Sequence, residues 1–434
     1  MRGKKTLLSI ISIMFIFSIV LAGCSSKKEG GNAEGGKDKE VTLDIFQFKV
    51  EFKDQFETVA KEYEKNNKGV KINITTVGGG EDYGVALKSK FASGQEPAIF
   101  NVGGPQDVAD WEKNLTDLTD TEAAKAALDG TLDGVTKDSK VLGLPYNQEG
   151  YGLVYNKAIF EKAGIKAEDI KDMASLEAAV KTLDEKKGDL GLKAVFALPA
   201  KETWVTGLHL SNAFIAPEFD NNVLKAFEAK KVEFKYGEQM KNFLDLQNKY
   251  SAQPVVSLDY SQQVEELFST GKVAIIEQGN WVYGSIAGID QELADNGVGL
   301  LPIPVPTYKE DAIPVGVPMY WAVNSKKDEA TVKEAKKFLD WLYTSEEGKK
   351  KVVEDFKFIP AYEGYDTSKI SDPLSKAIYQ AAQDGKTIGW TFMGYPSAWG
   401  MDKLGVNMQK YLSKEMTWEE LVADSQKAWE DARK

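Results

Sequence analysis

The sequence predicts an α/β protein of two domains, on two observations: a β-α-β-α-β pattern that opens at Val41, and a folded length too great for one core. Strand-like stretches at Val41–Phe48 and Val70–Ile74, which alternate, and at Pro97–Val102 are separated by two stretches of helical spacing. That order implies a mainly parallel sheet with helices on both faces. With a leader and a tether set aside, about 390 residues remain, beyond the size at which one core keeps growing.

The leader comes first. Arg2, Lys4 and Lys5 form a basic start, Leu7 to Ala22 is an apolar run broken only by serines, and small residues close it. These are the three regions of a secretory signal. A transmembrane anchor is the competing reading, since about 17 apolar residues just span a bilayer. The ending Leu21-Ala22-Gly23-Cys24 resembles a bacterial lipoprotein signal, in which the cysteine is diacylated and becomes the first mature residue. The expectation is a signal peptide over residues 1–23, lipidation at Cys24 and a tether over 24–40. The segment Ser25 to Glu40 is rich in Gly, Lys and Glu and has no large apolar residue, so it has nothing to bury. Cys24 is also the only cysteine, which excludes disulfides, thiolate metal sites and a cysteine nucleophile from the folded part.

The first strand is followed by Phe56, Val59, Ala60 and Tyr63, spaced as one helix face, and Asn66 to Gly69 stops that helix. Tyr83, Leu87 and Phe91 mark the second helix, which Gly94 ends. Ligands of such sheets bind beyond the carboxyl ends of the strands, so the loops at 47–51, 76–82 and 101–107 are candidate contacts. Gly143 to Asn156 reads as extended. Helical patterns follow at 175–187, 238–250, 261–270 and 330–343, and a strand at Val273–Glu277 leads into Gly279-Asn280-Trp281. Prolines 302, 304, 306, 314 and 318 exclude helix and suggest an extended crossover. Thr417 and Glu420 form a capping box that opens a last helix.

A net charge of −12 argues against nucleic acid as a partner. His209, the only histidine, lies in an apolar helical stretch and is expected in the core; without more histidines or thiols, no transition-metal site is expected. Gly78-Gly79-Gly80 lacks the Lys-Ser/Thr of a phosphate loop and reads as backbone that turns sharply or approaches a ligand.

Four places, taken in order, resemble the family-1 extracellular solute-binding proteins, the maltose-binding-protein-like receptors of ATP-driven importers. They are Phe91 to Pro97; Gly143-Leu144-Pro145-Tyr146 through Tyr155-Asn156-Lys157; Gly271 through Gly279-Asn280-Trp281; and Tyr320 to Ser325. Val77 to Tyr83 looks more narrowly like receptors for raffinose-type and other α-linked oligosaccharides. Pro97 is followed by Ala98 where the family usually has aspartate, which puts a local cap or polar contact in doubt. The resemblance implies a two-lobed periplasmic-binding-protein-like fold of type II, with the ligand cleft between the lobes. The expected lobes are 41–148 plus 311–362 and 149–310 plus 363–434, with crossings near 147–152, 310–316 and 362.

A sugar offers hydroxyls at its rim and C–H patches on its faces, so a site needs flat apolar plates and charged or amide groups. By resemblance, Trp281 matches the family's stacking tryptophan and Glu149 its hinge glutamate. Trp390 and Trp399 lie where the C-terminal segment lines the cleft, with Trp390 favoured. By position and chemistry, Trp204 follows a strand, Gln47 and Lys49 follow the first strand, and Asn101 and Asp107 follow the third. Tyr320 either reaches the cleft or packs. Trp111, Trp341, Trp418 and Trp429 fall in helical patterns and are expected in the core.

These readings imply a lipid-anchored, extracytoplasmic receptor on the outer face of a bacterial membrane. It would take an oligosaccharide of α-linked di- or trisaccharide type by hinge closure and deliver it to ABC permease subunits, as a monomer with no cofactor. One rival is a receptor for a non-sugar solute. The other is a glycoside hydrolase with paired carboxylates such as Glu149 and Glu277, which would need them about 5–9 Å apart across a bond.

Overall fold

Two main cores of buried apolar side chains form, one on each of two sheets, and the computed structural model describes them over residues 40–77, 82–305 and 311–434. The leader, Cys24, the tether as far as Lys39 and the glycines at 78–80 lie outside the described residues.

In the first lobe β1 (Val41–Gln47) leads into α1 (Lys53–Asn66), which buries Phe56, Val59, Ala60 and Tyr63, the face that the spacing predicts. Gly69, at φ +85°, turns the chain into β2 (Val70–Thr76). α2 (Tyr83–Ala92), capped by the Asp82 carboxylate on the Val85 N–H, leads to β3 (Ile99–Val102) and α3 (Pro105–Trp111). β3 starts two residues later than the pattern suggests. A hairpin of β4 (Thr136–Lys137) and β5 (Lys140–Val141) precedes β6 (Leu144–Pro145).

The chain then passes into the second lobe as β7 (Glu149–Asn156), and β8 (Ile275–Gly279) and β9 (Val298–Leu301) both pair with it antiparallel. β10 (Ile313–Gly316) joins the same sheet, β11 (Tyr320–Val323) returns to the first, and β12 (Thr387–Gly389) closes the second. The sheet orders are β2-β1-β3-β11-β6 and β12-β10-β7-β8. β1 is parallel to β2 and β3, while β11 runs antiparallel between β3 and β6.

One expected boundary shifts. Ile313–Gly316 pairs with β7 and β12, so this segment belongs to the second sheet and not, as expected, to a first-lobe piece beginning at 311. The return crossing falls between Gly316 and Tyr320. Pro318 lies within it and Pro314 inside the strand before it; a strand tolerates Pro314 because proline only forfeits a ladder donor.

The first core centres on Phe56, Tyr146, Trp321 and Tyr343; the second on Phe196, Phe214, Phe243 and Trp429. Each buried phenylalanine stabilises its lobe by roughly 1.5–3 kcal/mol. Trp418 and Trp429 are core residues, as expected; Trp111 and Trp341 are half-buried against the cores. The last helix, Trp418–Ala432, starts with the Thr417–Glu420 capping box. Among the described residues no helix is long and apolar enough to cross a membrane, and no cluster of His, Cys, Asp or Glu could hold a metal ion.

Candidate ligand-binding site

The residues at the end of β1 and the start of β7 meet. Gln47 braces the turn: its Nε2 donates to the Lys49 carbonyl at 3.1 Å and to Thr76 Oγ1 at 2.6 Å, and its Oε1 accepts the Lys49 N–H at 2.6 Å. The turn aims Lys49 at Glu149, and Nζ and Oε1 form an ion pair whose side chains are each 4% exposed. Asn147 Nδ2 donates to the same oxygen at 3.3 Å. Beside them lies Glu51, whose carboxyl burial pushes above its ordinary range, against the lowering pull of Lys49.

The second lobe supplies a wall of rings. Tyr151 on β7 stacks on His209 with centroids 4.4 Å apart and planes 10° from parallel. Around His209 stand Trp204 at 5.1 Å, Trp281 at 5.2 Å, Phe392 at 5.5 Å and Trp390 at 5.6 Å. Burial, with a smaller contribution from the Lys49 charge, pushes the His209 imidazole down to about 3. The ring is therefore neutral at pH 7 and acts as one more flat plate.

Local structure explains this convergence. Val205–Leu210 is a π-helix, whose wide i→i+5 turns put Trp204 and His209 beside each other. It packs tightly on a second π-helix, Trp399–Gly405; a Cβ on Gly207 would lie 2.0 Å from the Gly400 carbonyl oxygen. Trp390 lies over Gly316 of β10, where a Cβ would sit 2.5 Å from its Cγ. Asn212 holds this segment: its Nδ2 donates to the Gly389 carbonyl at 3.0 Å and its Oδ1 accepts the Thr391 N–H at 2.9 Å. Glu202 braces two aromatics, accepting from Trp204 Nε1 at 3.2 Å and from the Tyr260 N–H at 3.3 Å.

Several buried polar atoms find no hydrogen-bond partner among the described residues: both side-chain heteroatoms of Asn101, Asn147 Oδ1 and Trp390 Nε1. An unpaired buried donor or acceptor costs roughly 1–3 kcal/mol. Such a group is expected where a ligand completes the pairing.

The structure thus brings together Lys49, Glu149 and Gln47 from one set of expected residues, and Trp204, Trp281 and Trp390 from another. Asn101 stands at the carboxyl end of β3, and Asp107 accepts the Gly103 N–H at 2.6 Å in the loop beyond it. Two expected residues lie elsewhere. Tyr320 packs with Phe100, Val102 and Leu142 in a first-lobe cluster. Trp399 faces the second core, edge-on to Trp429 at 4.8 Å, with Nε1 donating to the Ser425 carbonyl. Glu277 does not pair with Glu149: it is buried in the second sheet opposite Leu153 and accepts from Gln247 Nε2 at 2.7 Å. His209 is buried, as expected, but in the aromatic wall rather than a featureless core. Its signal was hidden, because in an α-helix residues five apart face different sides.

The lobes also touch along α3 and the loop that enters it. The backbone of Gly104 meets Met393, where a Cβ would fall 2.7 Å from the Met393 Cβ. Ser397 Oγ donates to Asp110 at 2.6 Å, and Arg433 donates to Gln106 Oε1 at 2.8 Å and to the Gly394 carbonyl at 2.6 Å.

Comparison with known proteins bears on this arrangement. A family model described as bacterial extracellular solute-binding protein matches residues 49–349. The multiple sugar-binding protein of Streptococcus mutans is 27% identical over 214 residues, 46% of each chain, so the match spans under half of that relative's length. The melibiose/raffinose/stachyose-binding protein MelE of Bacillus subtilis is 25% identical over 353 residues, 78% of this chain and 77% of that one. Among solved structures, a chitin oligosaccharide binding protein superposes with a TM-score of 0.77 at 24% identity, over 91% of this chain and 99% of that chain. RafE in complex with raffinose superposes with a TM-score of 0.73 at 19% identity, over 91% and 100%. These superpositions establish the two-lobed type II fold.

Proposed function

The chain belongs to the bacterial extracellular solute-binding protein family, and from that premise we propose that it captures an oligosaccharide between its lobes and delivers it to an ABC importer. Membership makes it a receptor and not an enzyme. The observation that carries the sugar reading is the pairing of surfaces: a wall of Trp204, His209, Trp281 and Trp390 beside the Lys49–Glu149 pair. Flat rings suit the C–H faces of a pyranose, and ionised groups make the stronger hydrogen bonds to its hydroxyls. Relatives named for multiple sugars and for melibiose, raffinose and stachyose support an α-linked di- or trisaccharide as the ligand class.

The mechanism is hinge closure. The sugar enters an open cleft, and contacts made by both lobes at once stabilise the closed form, which docks on the permease. Secretion, lipidation at Cys24 and a place on the outer face of the membrane complete the proposal, on the leader sequence alone.

Calorimetric titration of the mature chain with maltose, isomaltose, panose, raffinose and xylo-oligosaccharides tests the ligand. Saturable binding of one class, weakened at least about tenfold by Trp281→Ala, supports the reading; binding of none overturns it. For the anchor, Cys24→Ser should release the protein from the membrane fraction, and retention would refute lipidation there.

A further inference from the structure

Taking the aromatic wall as the sugar site proposed above, we infer that Gln278 and Gln263 are positioning residues for Trp281, forming a buried amide relay that sets the plane of its ring. Trp281 Nε1 donates to Gln278 Oε1 at 2.7 Å, Gln278 Nε2 donates to Gln263 Oε1 at 2.7 Å, and Gln263 Nε2 donates to the Ala197 carbonyl at 2.8 Å. Both glutamines are sealed from solvent.

The direction of the relay is fixed by its ends. An indole N–H only donates and a backbone carbonyl only accepts, so neither amide can flip without breaking two buried hydrogen bonds. Gln278 is held on β8 opposite Gly152, and Gln263 in the π-helix Gln262–Phe268. The relay therefore ties the ring to two separate elements. Gly279 completes the seat: a Cβ there would fall 2.2 Å from Trp281 Cζ3, so the six-membered ring lies against the strand backbone.

Rotating the ring would strand the indole N–H and Gln278 Oε1 together. The N–H being used behind the wall, Trp281 offers ligand a face and no donor. Two amides in an otherwise apolar setting serve orientation, because apolar side chains of the same size would fill the space without them.

The test is Gln278→Met in the full chain, read in two ways. The exchange rate of the Trp281 indole proton, followed by NMR without ligand, should be slow in the native protein and rise at least about tenfold in the variant. Affinity for the sugar found by titration should fall about fivefold to tenfold, the worth of roughly one oriented contact. In a Trp281→Phe background, which has no indole N–H to hold, Gln278→Met should leave affinity unchanged. An equal loss in both backgrounds, or an unprotected indole proton in the native protein, overturns the proposal. If Gln278→Met does not fold, Gln263→Met breaks the relay one step further from the ring, with the same expected direction. A native protein that binds no sugar overturns the sugar reading and the positioning role with it. That failure is distinguishable, because the protected indole proton would still report the relay.

Discussion

Lys49, in the turn after β1, and Glu149, at the start of β7 in the other sheet, form an ion pair sealed from solvent although 100 residues separate them. Glu149 opens β7 and pairs through its backbone with Gly316 on β10, so the pair sits where two of the crossings run side by side. A ligand hydroxyl placed there meets both charges without either having to leave its partner's field.

Removing one partner should therefore cost more than removing both. Lys49→Met leaves Glu149 buried without compensation and should destabilise the fold by about 3–5 kcal/mol. The double variant Lys49→Met/Glu149→Gln should recover much of that loss while still binding sugar poorly. Urea denaturation and calorimetric titration of the native protein and the two variants check both parts.

Trp390 differs from its neighbours in having an indole N–H with no partner among the described residues. Trp390→Phe keeps a plate and deletes the donor. Stability should hold or rise, because an unpaired buried group is gone, while sugar affinity should fall roughly fivefold to tenfold. A thermal melt and a titration on the same sample separate the two effects.

His209 and Glu277 give the protein opposed pH dependences. From pH 6.5 down to about 3 the unfolded chain holds a proton on His209 that the folded chain refuses, so stability falls as pH drops. From pH 4.5 up to about 8 the folded chain keeps a proton on Glu277, chiefly because of burial, that the unfolded chain has released; stability then falls as pH rises. Each slope is about 1.4 kcal/mol per pH unit at most. They oppose each other between 4.5 and 6.5, so stability should plateau there and decline on both sides. Glu277→Gln should flatten the alkaline decline and, with nothing left to oppose His209, extend the acid decline up to about pH 6.5. Urea midpoints measured from pH 4 to 8 show whether it does.

Gly104 is a point where the lobes approach closely. Gly104→Leu would drive a side chain into Met393, whose carbonyl oxygen lies 2.9 Å from the position of the new Cβ. The expected result is a protein that folds normally but resists closure, with weaker sugar binding and a larger radius of gyration in solution scattering when saturated. Unchanged scattering would show that closure does not need this contact.

The first half of the first lobe was legible because its helices are amphipathic and its turns carry glycine: Phe56, Val59, Ala60 and Tyr63 became a buried face, and Gly69 and Gly94 both adopt positive φ. Lys49, Glu149, Trp204, Trp281 and Trp390 were reachable from loop position and family pattern. Trp399 and Tyr320 were not separable from them, since a tryptophan or tyrosine near a loop carries no mark of which way its ring turns. His209 was hidden by π-helical geometry that 3.6-residue periodicity does not register. Glu51, Glu202 and Asn212 carry no local pattern, because their roles arise from partners distant in sequence.

The threading of the first sheet has a consequence for biosynthesis. β11 lies between β3 and β6, so that sheet cannot close until the ribosome has passed Val323. Until then Ile99–Val102, a strand buried throughout in the finished fold, presents an open edge of the kind that pairs with other chains. A chain in that condition stays pliable for a long stretch of translation. An exported chain would have to be kept from pairing along that edge for as long as β11 is missing.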